Sequence, residues 1–191
     1  MFGLFLALSF FVIVIGVIHQ STKNKQNKQS LLEELHALTK SGINISKYSQ
    51  VSPLLLIGLS RPSKKFIILR MHGDNVRKTI IDFENIHDCE LIKDGTIVYR
   101  KSAARAIGGA LIGGAISGGV GAIIGGLSGS SKAEEIVNKI ELKILTKDMN
   151  SNAIWITFYD SKKDIKTHLK DMLREAETWK DAVSLIIDMN L

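Results

Sequence analysis

The stretch "GGALIGGAISGGVGAIIGGLSG", Gly108 to Gly129, carries no charged side chain and repeats small residues at a fixed interval. Gly109, Gly113, Ser117, Gly121, Gly125 and Gly129 lie four apart, and Ala110, Gly114, Gly118, Ala122, Gly126 and Ser130 run beside them at the same spacing. Bulky aliphatics, among them Leu111, Ile112, Ile116, Val120, Ile123 and Ile124, occupy most of the other positions. In water each glycine weakens a helix by roughly 1 kcal/mol relative to alanine. In lipid the backbone must satisfy its own hydrogen bonds, so helix is enforced, and small-xxx-small ridges let two helices approach closely. A flexible linker would instead be rich in serine and other polar residues. The segment therefore reads as a packing surface, at a membrane or between copies of the chain; a helix pair buried in the protein and a loop are the competing readings.

A phosphate-binding reading fails on spelling. A Walker loop needs glycine in the sixth place followed by lysine. Counting from Gly125 or Gly126, the sixth place holds Ser130 or Ser131. The dinucleotide fingerprint would need glycine where Ile124 stands after Gly119-Val120-Gly121. The ridges resemble the glycine zippers of membrane-inserting and oligomerising proteins. That resemblance implies self-association through Gly109, Gly113, Gly114, Ser117, Gly118, Gly121, Gly125 and Gly129.

Ile107 to Leu127 are 21 uncharged positions, long enough for one span at about 1.5 Å each. One span would, however, put the strand-like runs before and after it on opposite sides of a membrane. A helical hairpin turning near Ser117-Gly118-Gly119 returns the chain to its starting side, with arms of roughly 15 Å. Arg100, Lys101 and Arg105 before the segment and Lys132 after it fit such a same-side hairpin.

At the other end of the chain, Phe2 to Ile18 are 17 uncharged, mostly large apolar residues. As a helix they would extend roughly 26 Å, near the thickness of a hydrocarbon core. No Lys or Arg precedes the run and no small-x-small cleavage pattern follows it, so it reads as an uncleaved transmembrane anchor rather than a signal peptide. Lys23, Lys25 and Lys28 follow with no acidic residue among them, which places a membrane surface there and the bulk of the chain in the cytoplasm. The expected location is the cytoplasmic (inner) membrane, single-pass.

Ser30 with Glu33 three residues on has capping-box spacing, and Leu31, Leu32, Leu35 and Leu38 share a face before Gly42, so a short amphipathic helix is expected there. From Leu54 the pattern shortens. "LLLIGLS", "KKFIILRM", "VRKTIIDF", "IHDCELI" and "GTIVYRK" are strand-like runs divided by turn chemistries, Asp94-Gly95 being the strongest hairpin signal. Past the glycine segment, Ile136, Ile140, Leu142 and Ile144 alternate, as do Ile154, Ile156 and Phe158. Ile165, Leu169, Met172, Ala176, Trp179, Val183 and Ile186 then mark a long amphipathic helix.

The expected class is α+β: an antiparallel meander or split barrel of about seven strands with a long C-terminal helix, behind the anchor and around the hairpin. The divisions are 1–19 anchor, 20–50 basic linker and short helix, 51–102 first β part, 103–131 glycine insertion and 132–191 remaining strands and helix. This order, with "IIDFENIHDCELIKDGTIVYRK", resembles the bacterial pleckstrin-homology-like (PH-like) domains over residues 52–188, the glycine segment being an insertion. The resemblance carries over no catalytic residues.

Little in the sequence supports catalysis. The histidines lack metal-ligand spacing, and one cysteine, Cys89, builds neither a disulfide nor a zinc site. His87 and Cys89 would share a face of a strand, yet without an orienting third group. Trp155 and Trp179 read as core aromatics, or as interface anchors if the domain touches lipid. The net charge of +6 is the only feature favouring nucleic acid, which is not expected as a partner. No cofactor and no metal are expected. The sequence favours a non-enzymatic, membrane-anchored protein that self-assembles on membrane lipid through its glycine zipper, as a scaffold or as a membrane-perturbing effector of the defence or phage-exclusion type, with a further protein partner open. The alternative is a PH-like binding module for a peptide or lipid headgroup, the glycine segment serving as a regulatory loop.

Overall fold

No glycine or proline interrupts the chain between Val17 and Ser41, and the helix that begins in the apolar run does not stop at its end. In the computed structural model, which describes residues 2–102, 137–148, 152–164 and 168–190, with side chains from residue 14, α1 is a single helix, Phe2–Lys40. The expected short helix opening at Ser30 is thus the last part of a longer one. Side-chain pairs one turn apart, Gln20–Asn24 at 3.1 Å and Gln29–Glu33 at 2.9 Å, support the polar middle. The helix ends where Gly42 was expected to end it. Gly42 has φ +100°, its N–H bonds the Thr39 carbonyl and the Ile43 N–H bonds the Leu38 carbonyl, the paired bonds of a Schellman cap. Among the described residues no helix is long and apolar enough to cross a membrane. The glycine hairpin, with Arg105, Lys132 and Ile136, lies outside the described residues, as does Ile165.

The chain divides into two units, Met1–Ile81 and Asp82–Leu191. The first holds α1 and a sheet in the order β1 (Lys47–Ser52), β2 (Leu55–Ser60), β3 (Lys65–His72) and β4 (Asn75–Asp82), the antiparallel meander anticipated from the turns. Strand β1 was hidden in what read as linker, since "KYSQVS" is polar and only Val51 is buried. Leu31, Leu35 and Leu38 of α1 bury against Leu56, Ile67 and Leu69. Leu35 lies over Gly58, where a Cβ would meet its side chain at 3.7 Å, an ordinary contact distance.

The second unit is a sheet in the order β6-β5-β7-β8, covered by α2 (Leu169–Met189). Its strands are β5 (Ile86–Lys93), β6 (Thr96–Ser102), β7 (Lys139–Thr146) and β8 (Ala153–Asp160), and one 3-10 turn, Phe83–Asn85, precedes β5. The class is α+β as expected, with two corrections. The described strands number eight, in two sheets of four, and the second sheet is not a meander because β5 lies between β6 and β7. The helix stripe differs by one position as well: Leu173 is buried where Met172 was expected, and the buried face widens to take in Glu177, Lys180 and Ser184.

Candidate functional site

The segment with the strongest sequence signal is tied to the second sheet at both ends. Strand β6 ends at Ser102, paired with Asp88, and β7 begins at Lys139, beside Asp94. Both strands run antiparallel to β5 and flank it. The chain therefore leaves the sheet at one end of β5 and returns at the other, about 20 Å away for six residues of strand.

The return point is built by the hairpin turn. Asp94 and Gly95 both adopt positive φ, +49° and +81°, as a tight two-residue β turn requires. The Asp94 carboxylate accepts hydrogen bonds from the backbone N–H groups of Asn138 and Lys139, each at 2.8 Å, while its own N–H donates to the Lys139 carbonyl at 3.0 Å. Asp94 read as a turn residue from the sequence; its second role as the clamp on the incoming strand had no local signal.

On one face of this sheet lies a charge cluster. Glu90 is opposite both Arg100 and Lys143 across the two ladders, so all three project to the same side. Arg100 Nη2 stands 2.6 Å from Glu90 Oε1 and its Nε 3.2 Å from Asp88 Oδ2, while Lys143 Nζ lies 3.1 Å from Glu90 Oε2. Glu90 is only 1% exposed, and the two cations facing it offset the cost of placing a carboxylate so deeply. Lys143 also stands 5.3 Å over the ring of Trp155, which is 44% exposed and not the core residue expected; Trp179 is fully buried.

The other face is sealed by α2. Cys89 and Leu91 pair with Ile144 and Leu142 there. From β6, Tyr99 places its hydroxyl 3.0 Å from Ser184 Oγ, and the Lys180 ammonium sits 4.6 Å from the Tyr99 ring centroid. Lys101 pairs with Asp188 at 2.6 Å. Arg100 and Lys101, expected as part of a basic cluster beside the glycine segment, are thus committed to carboxylates on opposite faces of their own sheet. Of the expected membrane-surface lysines, Lys23, Lys25 and Lys28 are all exposed on α1, and Lys23 contacts Asp74 at 3.3 Å.

The His87–Cys89 pair loses its geometric basis. Ile86 pairs with Thr146 and Asp88 with Leu145, so the register slips by one residue at His87 and interrupts the alternation that would align it with Cys89. Cys89 is fully buried, and burial, reinforced by the Asp88 charge, pushes its thiol far above the ordinary range. Among the described residues, no group of three or more His, Cys, Asp or Glu could hold a metal ion.

Residues 42–160 match the family described as glycine zipper containing PH domain, and the match covers more than half of the 191 residues. The chain belongs to that family. It is 31% identical over 124 residues to the protein named "Immunity protein" of Bacillus phage SPbeta, the alignment covering 60% of this chain and 60% of that protein. It is also 31% identical over 124 residues to the SPbeta prophage-derived uncharacterized membrane protein YomJ of Bacillus subtilis (strain 168), covering 60% of this chain and 53% of that one. The chain thus spans less than two thirds of the length of these curated relatives. No solved structure matches it.

Proposed function

We propose that this is a non-enzymatic protein anchored at the cytoplasmic membrane by the first part of α1, with the bulk of the chain in the cytoplasm, assembling with copies of itself through the glycine-zipper segment to act in phage immunity or exclusion. The observation that carries this reading is the topology of the second sheet. Because β6 and β7 both pair with β5, the glycine segment must start from and return to one folded unit. A segment of this composition that returns to its starting side fits a same-side hairpin offered to lipid or to neighbouring copies. The relatives' names, one an immunity protein and one a membrane protein, point the same way.

The test uses a single cysteine at Ser117 in a Cys89→Ala background, with a membrane-impermeant maleimide on intact cells and thiol crosslinking. Labelling only after lysis, with a disulfide-linked dimer, supports the assembling same-side hairpin. Labelling in intact cells overturns it in favour of a segment that breaches the membrane. Labelling after lysis without crosslinking overturns self-assembly and leaves the PH-like binding module as the reading.

A further inference from the structure

Helix α1 joins the apolar run to the core of the first unit without a break. Its Leu31, Leu35 and Leu38 are core residues of that unit, and they share one helix with Ile15, Val17 and Ile18, which are exposed. A helix of this kind transmits position and direction, whereas the linker expected from the sequence would transmit neither.

The direction can be read from its contacts. Lys23 meets Asp74 in the β3–β4 turn at 3.3 Å, and further along Glu34 meets Lys78 at 2.8 Å. Leu35 stands over Gly58, and just past the helix the Ser46 N–H donates to the Leu59 carbonyl at 2.8 Å. Ser46 Oγ in turn accepts from the Arg61 N–H at 3.0 Å, at the β2–β3 turn. Lys23 to Leu38 covers about 22 Å of helix, and β3 from His72 back to Lys65 about 23 Å of strand. The helix therefore runs the length of the sheet, from the β3–β4 turn to the β2–β3 turn.

We infer that the β3–β4 hairpin is the bilayer-facing edge of the first unit, held at headgroup depth by α1, and that the β2–β3 turn points away from the membrane. The inference rests on the anchor reading above. Ile18 to Lys23 is about 8 Å of helix, comparable with the headgroup layer outside the hydrocarbon core. The hairpin therefore meets the surface together with exposed Lys23, Lys25 and Lys28 of the helix and exposed His72 and Arg77 flanking its turn. The partner is the anionic lipid surface itself, met by Lys23, Lys25, Lys28 and Arg77, with Asp74 at the hairpin tip paired to Lys23.

The test is depth-dependent quenching on the full chain in vesicles of phosphatidylcholine and phosphatidylglycerol carrying a headgroup nitroxide. In a Cys89→Ala background, one fluorophore is placed through Asn75→Cys and another through Arg61→Cys, both exposed positions. Quenching several-fold stronger at position 75 than at 61 is expected; equal or reversed quenching in protein that floats with the vesicles overturns the inference while leaving the anchor standing. Protein that does not float overturns both. Inserting Gly-Ser-Gly-Gly after Gln20 should erase the asymmetry without changing flotation. Asymmetry that survives the insertion overturns the role given to helix continuity.

Discussion

Asp94 closes the turn between β5 and β6 with its backbone and, with its carboxylate, receives Lys139 where the chain re-enters the sheet after the glycine segment. One residue thereby fixes both a hairpin and the far end of a long connection. Replacing it with alanine removes two charge-assisted hydrogen bonds and puts a less tolerant residue at φ +49°. We expect Asp94→Ala to lower stability by about 2–3 kcal/mol and Asp94→Asn by less, since asparagine tolerates the left-handed region and keeps an acceptor. Urea unfolding of the full chain in mild detergent, followed by near-UV circular dichroism, measures both.

The Glu90 cluster makes a different prediction. Removing one member of a buried charge group strands the others, whereas removing the group together need not. Arg100→Met leaves Asp88 and Glu90 uncompensated on that side, and a loss of about 2–4 kcal/mol is expected, at the lower end because Arg100 is partly exposed. The triple replacement Asp88→Asn, Glu90→Leu, Arg100→Met, which leaves only Lys143 of the cluster, half-buried over Trp155, should recover part of that loss. Additive losses across single and combined variants would show that the three residues do not act as a unit.

Much of this second unit was legible in the sequence, and what was not has identifiable causes. The buried alternation of Ile140, Leu142 and Ile144, the Asp94-Gly95 turn and Trp179 in the helix stripe follow from periodicity and turn chemistry. Strand pairing does not. A regular hairpin around Asp94-Gly95 would oppose Glu90 to Tyr99; the slip between Leu91 and Ile92 brings Arg100 there instead, so one bulge decides which side chain neutralises a buried carboxylate. The position of β5 between β6 and β7 is likewise a long-range choice with no local signature. In the first unit, polar β1 carries no strand signal because its burial is one-sided and slight. The length of α1 is not legible because Ser30-x-x-Glu33 imitates a helix start inside a helix that nothing breaks.

Glu177 supplies a pH signature. It is buried on α2, and its Oε1 has no hydrogen-bond partner among the described residues. Burial raises its carboxyl pKa above the ordinary 4.5; nearby Lys180 opposes the rise and Asp181 adds to it. The folded state therefore holds this proton to higher pH than the unfolded chain does, and stability is lost as pH rises through the raised value. Glu177→Gln should be more stable than the parent at neutral pH, with the difference shrinking as pH falls through the raised value towards 4.5, below which both states are protonated. Melting temperatures of the two proteins from pH 4 to pH 8 give the comparison, and a difference that does not depend on pH would refute the assignment.

Cys89 should behave as a core residue. In the folded protein at neutral pH its thiol should resist dithionitrobenzoate and react fully once the chain is denatured, because it is both inaccessible and held protonated. On the proposed function, Cys89→Ala should leave phage exclusion intact in a plaque assay. Loss of activity with the fold preserved would bring back a chemical role for the cysteine.

The self-association reading is tested most directly at Gly113 and Gly121, two steps apart on one small-residue ridge. Leucine at both positions keeps the segment apolar, so insertion into lipid is not impaired, but it adds bulk where two backbones would approach. If the ridge is the contact, Gly113→Leu with Gly121→Leu should weaken association at least tenfold, equivalent to about 1.4 kcal/mol, while the circular dichroism of the β units stays unchanged. Analytical ultracentrifugation in detergent reports the assembly size. On the proposed function, the same variant should lose phage exclusion together with assembly. An unchanged oligomer would mean that the ridge is not the interface, and an oligomer lost with exclusion retained would separate assembly from function.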